Sequence, residues 1–98
     1  MTPTMRAATL VAPGHIVVEH FPRPVPQAGE VLVQMEHASI CGSDVHVVFD
    51  GFHRPEMMGR PGYPGHEGVG VVVESVDPGV APGTRVLTVP PGAQGQCF

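Results

Sequence analysis

The chain contains no lysine and only five arginines, against nine aspartates and glutamates, so its 98 residues carry a formal net charge of −4. The arginines form no stripe, and the electrostatic footprint of a nucleic-acid binder is therefore missing. Long hydrophobic runs are also missing, which excludes a helical membrane span. The opening Met1-Thr2-Pro3-Thr4-Met5-Arg6 leads into a short apolar stretch only. That is a poor signal peptide, and the expected location is the cytoplasm. Cysteine is scarce: Cys41 and Cys97 sit in very different contexts and suggest no disulfide framework. Cys97 reads most simply as a free thiol near a chain end. No internal repeat is visible.

What the chain does have is turn chemistry. Its 13 glycines and 12 prolines make up about a quarter of the residues, roughly twice the usual share. They punctuate apolar runs, as expected for many short strands joined by turns. Ala7–Val11 and His15–Phe21 read as two strands separated by the turn signal Pro13-Gly14. Pro22, Pro24 and Pro26 then demand an extended connector, because proline cannot donate to a ladder. Further strands are expected at Glu30–Ala38, Val69–Val76 and Thr84–Val89. Gly68 and Gly70 mark a bend or a close backbone approach. Ser43 or Asp44 reads as the cap of a short helix over Val45–Phe49, with His46 one turn above Cys41. Asp50–Pro64 has no period, and a loop of that length is usually functional or disordered. The expected fold is mainly β, a partly open barrel with one short helix.

The chemistry is concentrated in two motifs, Cys41-Gly42-Ser43-Asp44-Val45-His46 and Gly65-His66-Glu67, with Cys41 and His66 25 positions apart. A thiolate and an imidazole are ligand types that Zn²⁺ prefers. A hydroxyl and a second imidazole beside them can move a proton off a reacting oxygen. Singly, Cys41 is a small buried hydrophobe, His66 a turn histidine, and Ser43 or Asp44 a helix cap. Grouped, they point to half of a catalytic zinc site. His15, His20 and His37 read as ordinary surface or strand residues, while His53 sits in the long loop where substrate could be met. Phe49, Phe52, Met57 and Met58 either line an apolar cleft or fold that loop onto the body.

Ile40–His46, Gly65–Val72 and Gly83-Thr84-Arg85-Val86, in that order, resemble the zinc-dependent medium-chain dehydrogenase/reductase family in its N-terminal, GroES-like catalytic domain. The opening Met5-Arg6-Ala7 fits as well. The Cys-Gly-Ser-Asp form is closer to the polyol and threonine dehydrogenase branches than to the branch with Arg after the Cys. The resemblance implies Cys41, His66 and Glu67 as metal residues, Glu67 being able to coordinate or to exchange with water. It implies Ser43 as proton acceptor from the alcohol and His46 as the relay to solvent. Asp44 would accept from the far nitrogen of His66 and fix its tautomer. Implied cofactors are Zn²⁺ and NAD or NADP, and the implied reaction is oxidation of an alcohol or polyol to a carbonyl by hydride transfer.

Residues 1–98 are then expected to be an incomplete GroES-like domain, part of a larger catalytic domain. The third zinc ligand and the nucleotide-binding Rossmann domain would lie beyond residue 98, and the isolated piece would be inactive. Gly65-x-x-Gly68-x-Gly70 lacks the strand before and helix after that a dinucleotide fingerprint needs. A structural zinc lobe needs four close cysteines, which Cys97 alone cannot supply. Val76 stands where the family often has Gly or Ala. The full enzyme is expected to be a homo-oligomer acting on a small molecule, with no nucleic-acid or membrane partner. The alternatives are a stand-alone GroES-like metal-binding or interaction module, and a zinc-free reductase on the same scaffold.

Overall fold

The computed structural model describes residues 3–50 and 54–88. In chain order these form β1 (Thr4–Ala12), β2 (His15–Pro22), β3 (Val31–Ala38), α1 (Gly42–Phe49), a single 3-10 turn (Pro55–Met57), β4 (Gly68–Ser75) and β5 (Arg85–Thr88). The strands make two antiparallel sheets, β1-β2 and β3-β4-β5. Among the described residues no ladder joins the sheets into a closed barrel. This is the mainly β, open architecture with one short helix that the turn chemistry predicts.

Pro13-Gly14 closes the first hairpin, with Gly14 at φ +71°, a conformation glycine adopts without steric cost. Register runs from Thr4↔Pro22 to Leu10↔Ile16 and then shifts, leaving Val11 as the extra residue of a bulge before Ala12↔His15. Pro22 can stand in β2 because it is the last residue of the strand. The other edge of β1 is covered by the long loop. Gly62 donates to the Ala8 carbonyl (2.8 Å), Leu10 to the Tyr63 carbonyl (3.2 Å) and Gly59 to the Leu10 carbonyl (2.9 Å). Thr9, fully buried, donates its hydroxyl to the Arg60 carbonyl at 2.6 Å. The described part of the loop therefore satisfies an edge that would otherwise present unpaired backbone groups.

Among the described residues, core burial is confined to a few side chains. Leu10, Thr9 and Val72 are fully buried, with Val48 and Cys41 nearly so. Helix α1 docks on the first hairpin: the Gly14 N–H donates to the Val48 carbonyl at 2.7 Å, which satisfies one of the helix's terminal acceptors.

Strand β4 runs between β3 and β5, so its backbone is paired on both sides. Its glycines are required by that approach. A Cβ at Gly70 would lie 2.4 Å from the Gln34 carbonyl oxygen, and one at Gly68 would lie 2.9 Å from that of His37. The expected close approach at Gly68 and Gly70 is thus found.

Strands β1 to β4 differ from the sequence reading by one to three residues at their ends, and two further boundaries differ for a visible reason. The helix starts at Gly42 with Cys41 as its N-cap, so Ser43 and Asp44 are its second and third residues rather than its cap. The reason is local: Cys41 has extended backbone (φ −89°, ψ 154°), and Asp44 reaches back to the Cys41 N–H. Strand β5 begins at Arg85, because Thr84 is held in the preceding turn by bonds to Ala81; Val89 lies outside the described residues.

Candidate metal centre

The two motifs meet because of strand register. His37 pairs with Val69 and Ala38 with Gly68. Extending that antiparallel register one step sets Ser39 beside Glu67, and the Ser39 N–H does donate to the Glu67 carbonyl at 3.2 Å. The chain leaving β3 then turns at once into α1, so Cys41 arrives next to His66. Cys41, His66 and Glu67 each offer one ligand atom, and these atoms all lie within 4.8 Å of one another. A tetrahedral ion with ligands at about 2.0–2.3 Å needs ligand atoms roughly 3.3–3.8 Å apart, so the set needs only a small contraction.

Around this triplet the polar groups are ordered. Asp44 is buried, and its Oδ2 accepts from the Cys41 N–H at 2.9 Å while its own N–H donates to the Cys41 carbonyl at 2.9 Å. These two bonds pin the thiol-bearing residue to the first turn of the helix. His66 Nδ1 lies 3.1 Å from the Pro64 carbonyl and 3.1 Å from Asp44 Oδ1. The Pro64 contact is the better aligned, and Asp44 Oδ1 is buried with no well-aligned hydrogen bond. Both neighbours are acceptors, so the proton of a neutral ring sits on Nδ1. Nε2 is then the ligand nitrogen, and it faces Glu67 Oε2 at 3.9 Å. Asp44 and a backbone carbonyl thus lie side by side against the same ring nitrogen.

Ser43 Oγ lies 3.3 Å from the Cys41 sulfur, within the site. His46 Nδ1 is 2.7 Å from Asp50 Oδ2, one helical turn on, and its side chain is 63% exposed. The two cysteines gave no reason to expect a disulfide, yet Cys41 is disulfide-bonded, and there is no free thiol among the described residues. The Cys41 sulfur could serve as a metal ligand only with that bond reduced. Cys97, Phe52 and His53 lie outside the described residues.

Three comparisons bear on this arrangement. Residues 27–98 match the family described as the alcohol dehydrogenase GroES-like domain. The chain belongs to that family. It is 36% identical over 103 residues to a Haemophilus influenzae protein described as an uncharacterized zinc-type alcohol dehydrogenase-like protein, covering 100% of this chain and 29% of the relative. Against sorbitol dehydrogenase of Pongo abelii it is 38% identical, over 93% of this chain and 26% of the relative. Against alcohol dehydrogenase 2 of Tanacetum cinerariifolium it is 40% identical, over 85% and 22% respectively. The chain thus spans about a quarter of the length of the curated relatives it matches. No solved structure gives a significant match.

In this GroES-like domain a hollow opens beside Glu67, lined by His37, Ser39, Val69, Leu87 and Thr88. Of the apolar side chains singled out in the sequence, the described Phe49, Met57 and Met58 do not line it. Phe49 instead lies against the Gly14 turn, its ring 3.7 Å from where a Cβ would stand, and Met57 and Met58 are half-buried in the loop. Ser39 was not legible as a site residue. Its Oγ donates to Glu67 Oε1 at 2.7 Å, and only the β3–β4 register could have revealed it. None of the described helices is long and apolar enough to cross a membrane.

Proposed function

We propose that this GroES-like domain is the N-terminal catalytic part of a zinc-dependent alcohol or polyol dehydrogenase that passes hydride to NAD or NADP. The observation that carries the reading is the convergence of Cys41, His66 and Glu67 atoms within 4.8 Å, a sulfur, nitrogen and oxygen set suited to zinc. The orientation of His66, with Nδ1 toward acceptors and Nε2 toward Glu67, is the one a ligand imidazole requires. Zinc held there would supply Lewis acidity to the hydroxyl of a substrate alcohol. Ser43, beside the Cys41 sulfur, accepts the hydroxyl proton, and His46 with Asp50 hands it toward solvent. Glu67 supplies a carboxylate that coordinates or gives way to water. The remaining ligand, the nucleotide domain and the homo-oligomeric assembly are assigned to the whole enzyme, the curated relatives being about four times as long as this chain.

The test is metal binding by the reduced protein, followed by cobalt substitution and its thiolate charge-transfer absorption. Cys41→Ala and His66→Ala should each abolish the signal. Ser43→Ala should keep the metal and slow alcohol oxidation in the full enzyme by about 100-fold, the scale of a lost proton acceptor. Loss of zinc in Ser43→Ala, or unchanged zinc binding in Cys41→Ala, would refute the assigned roles.

A further inference from the structure

Glu67 is held by a residue that neither motif contains. Ser39 follows β3, and it grips Glu67 twice: its N–H donates to the Glu67 carbonyl at 3.2 Å and its hydroxyl to Glu67 Oε1 at 2.7 Å. We propose that Ser39 is a positioning residue for the metal centre, fixing Glu67 so that one carboxylate oxygen is committed to the hydroxyl and the other is presented to the ion. The proposal rests on the metal reading above.

The geometry gives each oxygen a separate task. Oε1 is taken by Ser39, whereas Oε2 is the oxygen turned toward His66 Nε2, at 3.9 Å. A hydroxyl bonded to a carboxylate makes a short, charge-assisted bond, and 2.7 Å is at that range. Such a bond opposes two-oxygen coordination, because the metal would have to displace the hydroxyl to reach Oε1. It also removes rotamer freedom from a long side chain that is 35% exposed. The backbone bond places Ser39 independently of its hydroxyl, so the side chain can be removed without releasing the strand register.

Zinc affinity of the reduced protein, measured by competition with a chromophoric chelator, tests this directly. Ser39→Ala should weaken zinc by about tenfold, the lower end of what loss of a ligand's hydrogen-bond partner costs. Ser39→Thr, which keeps the hydroxyl, should restore most of the affinity. In a Glu67→Ala background, Ser39→Ala should change nothing further. Unchanged affinity in Ser39→Ala would overturn the proposal, and so would an equal loss in the Glu67→Ala background, which would mean Ser39 acts through the fold. Failure of Ser39→Thr to recover affinity would count the same way. If Cys41→Ala leaves zinc affinity intact, the metal reading itself fails; if Cys41→Ala abolishes binding while Ser39→Ala is silent, only the role of Ser39 falls.

Discussion

The two halves of the candidate metal centre are held by different physics. The Cys41 backbone is pinned by bonds that span three residues, from its N–H to Asp44 Oδ2 and from the Asp44 N–H to its carbonyl. His66 and Glu67 meet groups 22 to 28 residues away in sequence, Asp44 and Ser39, with the nearby Pro64 carbonyl as an added local contact at His66 Nδ1. A short capped turn forms from its own residues. The second half exists only once β3 and β4 have paired in one register, since a one-residue slip would carry Glu67 away from Ser39. The helical half is therefore expected to tolerate loss of the sheet better than the histidine half tolerates any change in strand spacing.

The largest effect that would sharpen this contrast is at Gly70. An alanine there places a Cβ 2.4 Å from the Gln34 carbonyl oxygen, a backbone atom that cannot swing aside. Gly70→Ala should cost about 1–3 kcal/mol of stability, as overpacking does, read as a lowered thermal midpoint. Zinc affinity should fall with it although no ligand is changed. A variant as stable as the parent would show that β4 does not constrain the site.

A smaller effect is expected in the helical half. Asp44→Ala removes the reciprocal bond of the first turn and should cost about 1 kcal/mol. Asp44→Asn retains an oxygen for the Cys41 N–H, so it should recover most of that stability. It should still bind zinc about tenfold more weakly than the parent, because a neutral amide polarises His66 less than a carboxylate. Equal stability of the alanine and asparagine variants would break the argument that the first turn is locally held.

The smallest effect is at the surface. Arg23 and Glu74 pair at 3.2 Å across the connector and β4, with both side chains about half exposed. Arg23→Ala should change stability by less than about 0.5 kcal/mol and leave zinc affinity alone. A larger effect would mean that the connector helps to set β4, against the assignment of that task to strand pairing.

Much of this was legible without coordinates. Pro13-Gly14, the β-branched run from Val69 to Val76 and the glycines at 68 and 70 announced the hairpin and the central strand. Cys41 and His66 were readable as candidate ligands from residue type and grouping, because only a few side chains can bind zinc, while Glu67 joined them through the family resemblance. The helix cap was misplaced by two or three residues. Ser and Asp are both good caps, and only the backbone angles of Cys41 show that Asp44 acts from inside the first turn.

Sequence by itself determined the strand-and-turn alphabet, the kinds of donor atom and their split into two motifs, since these follow from local conformational preference and side-chain chemistry. Tertiary structure alone decided which residues meet. Register brings Ser39 to Glu67, and the described part of the loop after the helix becomes the covering edge of β1. Both outcomes depend on hydrogen-bond partners supplied by another part of the chain, and no local preference specifies them.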